Sequence, residues 1–261
     1  MALVWIVGAA LVFCVAVRVI SLLNTSSSLE YILVPLAISL FFGGVVWSLR
    51  AATIGGVFLG VLVCFLLLVA PSGQHSLSSP GRYSALASLI AVFVTSFVAT
   101  RFGRSRKEST GLAESRRGRQ ASQIVANLGA AALFVGMGYY AACIAALSEA
   151  AADTASSEIG QALGGPVRLL TSWRKVPSGT DGGISLRGTL AGVTSAAIVV
   201  AVGSVLHLTW RVAAITFFSA VAGLLFDSLL GATAERKGWV GNDLVNFSST
   251  VFAALLALTL T

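Results

Sequence analysis

Apolar runs of membrane-spanning length recur along the whole chain, and charge is almost confined to the segments between them. A helix needs about 20 apolar residues to cross the hydrocarbon core, because lipid offers the backbone no hydrogen-bond partners. Nine runs approach or reach that length: 3–23, 31–49, 51–70, 83–101, 121–137, 139–160, 188–207, 212–231 and 245–261. Only 10% of residues are charged, where a soluble domain carries about 25%. Mean hydropathy is +0.90. The alternating pattern of a transmembrane β-barrel is absent. The expectation is an all-α, polytopic transmembrane helical bundle of nine spans forming one integral membrane domain over 1–261. Residues 1–101 are N-terminal helices, and 102–261 carry the motifs. The first run lacks a basic leader and a small-residue cleavage site, so it reads as a spanning helix and not a signal peptide.

The block from 121 to 160 is too long for one span and divides at Gly136–Tyr140, where two glycines interrupt it. That division sets the topology. Residue 50 and segments 101–120, 161–187 and 232–244 then share one side and hold 14 of the 17 Lys and Arg residues. Arg18, Arg82 and Arg211 fall elsewhere. The positive-inside rule makes the basic side cytoplasmic, with the N-terminus inside. For a bacterial chain this is the inner membrane. The net charge of +7 is explained by these loops without invoking nucleic acid. Cys14, Cys64 and Cys143 lie inside apolar runs at no metal-binding spacing and read as packing residues.

The acids carry the chemical information. Glu149, Asp153 and Glu158 sit towards the end of an apolar run, and Asp227 towards the end of another, in FDSLLGA. Asp243 precedes the last run, in GNDLVNF. An ionisable residue at membrane depth is a functional candidate by default. Glu149 is expected at a solvated helix end, and Asp153 and Asp227 are not. Asp153, Glu158, Asp181, Asp227 and Asp243 are candidate ligands for Mg²⁺, which takes a few carboxylates and completes its shell with substrate phosphates. In PSGTDGG, Gly179, Thr180, Gly182 and Gly183 surround Asp181, and successive N–H groups in such a turn can cradle an anion. Arg174, Lys175 and Arg187 flank it as candidate phosphate partners. Arg116, Arg117 and Arg119 belong to the most basic loop, where they anchor topology, attract anionic lipid or bind phosphate. Gln123 and Asn127 share a helix face and, with Asn246, are either interhelical hydrogen-bond partners or substrate contacts. No P-loop motif is present. His75 and His207 have no nucleophile at useful spacing, which excludes a hydrolase triad.

Five blocks together resemble the transmembrane protein nineteen family of integral membrane proteins, which includes the plant phytyl-phosphate kinase: KESTGLAESRRGRQASQIVANLG, ADTASSEIG, PVRLLTSWRKVPSGTDGGISLRGT, FDSLLGA and GNDLVNF. They lie between 100 and 250 in the family's order, and the first hundred residues match only as apolar helices. Two blocks, ADTASSEIG and FDSLLGA, are also distantly similar to acidic motifs of membrane CTP-dependent lipid kinases and cytidylyltransferases. The resemblance implies Mg²⁺-dependent phosphoryl transfer from a nucleoside triphosphate, CTP by analogy, to an isoprenyl monophosphate. Asp153, Asp227 and Lys175 would be catalytic. The partners implied are the lipid phosphate, the nucleotide and the surrounding membrane lipids. The rival readings are a lipid-phosphate cytidylyltransferase and a lipid-phosphate transporter or flippase.

Overall fold

A computed structural model describes residues 2–25, 29–71, 80–113, 118–205 and 208–261. His75, Arg116, Arg117 and His207 lie outside the described residues, as does the Arg82 side chain. The helices are α1 (Ala2–Thr25), α2 (Glu30–Ser48), α3 (Ile54–Val69), α4 (Pro80–Arg101), α5 (Arg104–Ser109), α6 (Ala121–Gly136), α7 (Tyr140–Leu163), α8 (Leu186–Ser204), α9 (Trp210–Leu230) and α10 (Asn242–Leu260). α6 and α7 part where the sequence predicts, between 136 and 140. Hydroxyls open three of the helices: Thr53 accepts from Gly56 N at 3.3 Å, Ser185 from Gly188 N at 3.1 Å and Thr209 from Val212 N at 3.4 Å. Each satisfies an amide that the first turn leaves free.

Six described helices are long and apolar enough to cross a membrane: α1, α2, α4, α8, α9 and α10. α3 and α6 are apolar but have only 16 residues each, roughly 24 Å at 1.5 Å per residue. α7 carries the acids and forms the centre, touching α4, α5, α6, α8, α9 and α10. Every residue from Ala142 to Ala152 is buried. Its many alanines explain this, since small side chains let neighbouring backbones approach without a hydrophobic drive between helices. α8 approaches closest. A Cβ on Gly188 would stand 2.5 Å from Ser156 O, and one on Gly192 would stand 2.8 Å from Ala152 O. Gly188 and Gly192 thus form a small-xxx-small seam against α7.

The chain is an all-α membrane protein as expected, and its long polar segment carries one small addition. Segment 164–185 folds into a three-stranded antiparallel sheet in the order β2–β1–β3, with β1 (Val167–Leu169), β2 (Lys175–Val176) and β3 (Gly183–Ile184). Val167 pairs with Val176, and Leu169 with Gly183. Apolar residues on β1 give this otherwise polar segment a buried side: Val167 and Leu169 are buried and Arg168 between them is not.

The basic segments meet at one end of the bundle. Ala52 and Arg119 form a parallel bridge, with Thr53 N donating to Arg119 O at 3.0 Å and Arg119 N to Ala51 O at 2.9 Å. Arg106 Nη1 donates to Leu163 O at 3.2 Å. Gly182 lies against Ala232. All four segments assigned to one side by charge therefore contact one another in a chain.

Candidate functional site

The site is assembled from five elements around α7. The strand-like segment before α6 is fixed first, because its backbone is tied to the α2–α3 link. Arg119 is thereby aimed at α7, where its Nη2 donates to Thr154 Oγ1 at 3.3 Å. Gln123 closes the first turn of α6 by accepting from Gln120 N at 2.8 Å. One turn further along, Asn127 accepts from Asn246 Nδ2 of α10 at 3.1 Å. Of the two readings of these amides, the interhelical hydrogen bond is present between Asn127 and Asn246, and both also line the cavity described below. Ser249 of α10 donates to Asp227 Oδ2 of α9 at 3.2 Å.

The glycine turn completes the wall. Thr180 Oγ1 donates to Pro177 O at 2.7 Å, and Gly183 N to Thr180 O at 2.9 Å. Gly182 has φ +69°, and a Cβ there would stand 2.1 Å from Ala232 N. Only glycine satisfies both the left-handed backbone and that approach. Ala232 belongs to a π-helical turn, Gly231–Glu235, that extends α9. Such turns are rare and concentrate at functional sites.

These elements enclose a polar cavity of about 400 Å³. Of the predicted residues, it is lined by Arg119, Gln123, Asn127, Asp153, Glu158, Gly179, Thr180, Asp181, Gly182, Gly183, Asp227 and Asn246. Arg174, Lys175, Arg187 and Asp243 are not on its wall. Lys175 lies on β2, Arg187 Nη1 donates to Leu163 O at 2.9 Å, and Asp243 sits in the first turn of α10, where the helix dipole favours an acid. Closeness in sequence to the glycine turn suggested the three cations, and none of the three lines the cavity that the turn walls.

The expected acid set is also rearranged. Glu149 is not at a solvated end: it is 1% exposed, and α9 passes so close that a Cβ on Gly223 would meet its Cγ at 2.6 Å. Glu158 is bonded to the buried Lys107, whose Nζ also donates to Ala99 O at 3.2 Å and Thr100 O at 2.8 Å. Lys107 thus ties α7 to the last turn of α4. Glu235, not singled out from the sequence, lines the cavity with Asn242. Glu235 is within electrostatic reach of Asp181 and Asp153, as Asp227 is of Asp153. A polar stripe at helical spacing, Asn242, Asn246 and Ser249, could have signalled the α10 face. Nothing local marks Glu235.

Five carboxylates, Asp153, Glu158, Asp181, Asp227 and Glu235, therefore face the cavity, and among the described residues Arg119 is the one cation lining it. Also among the described residues, no three Asp, Glu, His or Cys side chains converge tightly enough to hold a metal by themselves. The arrangement suits a cation held by one or two carboxylates with the rest of its shell drawn from a phosphate-bearing ligand.

A family model described as integral membrane protein DUF92 matches residues 37–254. An uncharacterized membrane protein of Synechocystis, sll0875, is 32% identical over 193 residues, covering 65% of this chain and 71% of its own. Protein VTE6, chloroplastic, of Arabidopsis thaliana is 31% identical over 185 residues, covering 64% of this chain and 56% of its own length. An uncharacterized membrane protein of Methanocaldococcus jannaschii, MJ0933, is 30% identical over 182 residues, covering 67% and 76%. No solved structure matches.

Proposed function

The chain belongs to the integral membrane protein DUF92 family, and from that footing we propose that it is an isoprenyl-phosphate kinase of the bacterial inner membrane with its site facing the cytoplasm. It would transfer the terminal phosphoryl group of a nucleoside triphosphate, CTP foremost, to an isoprenyl monophosphate. The observation that carries the reading is the acid-rich polar cavity closed by the 177–183 turn. A triphosphate arriving alone would be repelled by Asp153, Asp181, Asp227 and Glu235, whereas Glu158 is already compensated by Lys107. One arriving with Mg²⁺ meets the charge it needs.

Asp153 and Asp227 would hold the ion, from α7 and α9 respectively. When bound, the ion would supply neutralisation of phosphate charge, which phosphoryl transfer requires more than covalent help. Arg119 sits beside Asp153 on the same wall and presents a planar fork suited to phosphate oxygens. Backbone N–H groups of the glycine turn would cradle the donor phosphates. Asn127 and Asn246 would orient the acceptor phosphate. Lys175, Arg174 and Arg187, off the wall, would draw anionic nucleotide towards it.

One oxygen of the acceptor phosphate forms the new bond to the γ-phosphorus, and the bond from that phosphorus to the β-bridging oxygen breaks. The nucleoside diphosphate leaves with those electrons. The attacking oxygen is already ionised, so no general base is needed.

The test is turnover by purified protein with Mg²⁺, each of CTP, ATP, GTP and UTP, and phytyl, geranylgeranyl or farnesyl monophosphate, read by product mass. Isoprenyl diphosphate with nucleoside diphosphate is expected, and Asp153→Asn should abolish it in folded protein. A nucleotidyl-lipid with pyrophosphate would make the chain a cytidylyltransferase. No product from any pair would remove the enzyme reading and direct attention to lipid-phosphate flux.

A further inference from the structure

A second cavity, of about 520 Å³, lies among α2, α3, α4, α6 and α7. Its wall is mostly apolar, with Phe42, Val46, Leu89, Val92, Phe93 and Leu128 prominent. One group of residues breaks that character: Arg50, Arg101, Arg104 and Arg119. Arg101 is oriented by Phe97, whose ring centroid lies 4.1 Å from its guanidinium carbon, and donates to Leu49 O at 3.0 Å. Arg119, Asn127 and Thr154 line this cavity and the polar one alike. The two are therefore neighbours across Arg119, one acidic and glycine-walled, the other apolar with arginines.

We propose that the apolar cavity is the tail site for a single-chain lipid monophosphate, with its phosphate held at Arg119 and its chain running between α2, α3 and α4. This rests on the phosphoryl-transfer reading for what happens next to the phosphate, but the binding itself does not. The charge pattern commits the occupant. Arg50, Arg101 and Arg119 suit a dianionic head, with Arg104 already paired to Glu108 at 3.0 Å, and an apolar wall suits a hydrocarbon chain. The volume falls in the range, about 300–1,000 Å³, of pockets that enclose one ligand molecule. The N-terminal helices thereby gain a role that their sequence motifs do not announce.

Gly60 is the gauge of this site. It lines the cavity, and a Cβ built on it meets nothing within 4 Å. A larger side chain there would enter the space without displacing backbone. Gly43 and Gly56 also line it, but a Cβ on either would stand 2.5 Å from Val61 Cγ2 or 2.7 Å from Arg119 O. Substitution at those two would strain the fold and would not simply fill the cavity. Gly44 is exposed, equally unobstructed, and off the wall, so it serves as the control.

The experiment uses the full chain in detergent with a C20 isoprenyl monophosphate carrying a diazirine at the tail end. After photolysis, adducts are located by mass spectrometry. They are expected on α2, α3 and α4 at cavity-lining positions. Gly60→Phe should lower labelling tenfold or more, and Gly44→Phe should not. In turnover, Gly60→Phe should raise KM for a C20 acceptor at least tenfold over its effect on a C10 acceptor. Labelling in the cavity by a protein inactive with every nucleotide would uphold the tail site and remove the kinase reading. Turnover with adducts only on outward residues such as Phe41 and Ile54, and with Gly60→Phe silent, would overturn the tail site and leave the kinase.

Discussion

Lys107→Met gives the sharpest test of how the acid-bearing helix is held. Lys107 is 0% exposed and Glu158 6%. The ammonium is bonded to the Glu158 carboxylate and to the carbonyls of Ala99 and Thr100. Removing one partner of a buried pair leaves an uncompensated charge and costs about 3–5 kcal/mol. For a chain of this size, 1 kcal/mol corresponds to about 2–4 °C in melting temperature. Lys107→Met should therefore lower the melting temperature in detergent by roughly 6–20 °C. The double variant Lys107→Met with Glu158→Leu removes both charges, and such replacements are often neutral or stabilising. It should recover most of the loss, so the coupling energy in a double-mutant cycle should be at least about 3 kcal/mol, the cost of one broken pair. A double variant as unstable as the sum of the two single ones would refute the argument. Turnover retained by the double variant would also take Glu158 out of the metal-binding set.

Gly192→Leu should drive α7 and α8 apart, since even a Cβ would stand 2.8 Å from Ala152 O. A loss of about 1–3 kcal/mol or more should appear as a lower melting temperature, and an unchanged one would deny the seam. Arg119→Lys keeps the backbone bridge to Ala51 and Thr53 but loses the planar fork. Melting should hold while kcat/KM falls at least tenfold; unaltered kinetics would remove Arg119 from phosphate binding. Asn127→Ala should cost about 1 kcal/mol, the scale of an interhelical hydrogen bond in a membrane, and a stability unchanged in thermal unfolding would count against that contact. Glu149→Gln should fold with stability equal to or above that of the natural chain, because one Glu149 oxygen is buried without a partner among the described residues and a neutral amide is less costly there than a charge. A fall of several degrees would show that the carboxylate is needed.

The helices were legible because apolar runs and loop arginines are local signals. The boundary at 136–140 followed from topology: only with it do the basic segments meet at one end, as they do. The acids Asp153 and Asp227 were legible because charge at membrane depth is costly. What escaped depends on distance in sequence. Lys107 looked like one more topological cation, since its partner lies 51 residues away. Glu149 looked like a helix end, since only Gly223 brings α9 over it. The strands of the small sheet are two or three residues long, too short for any periodicity. Lys175 pairs with Arg168 across two of them and is off the cavity wall, although the glycine turn beside it lines that wall.

The closure of the acid cavity has a consequence for biosynthesis. α10 supplies Asn242, Asn246 and Ser249, and it follows every other described helix in chain order. Folding during synthesis proceeds from the N-terminal side. Without α10, Asn127 and Asp227 would lack the hydrogen bonds that Asn246 and Ser249 provide. The most hydrophilic feature of the bundle is therefore completed last in chain order, and truncation before Asn242 would remove one of its walls.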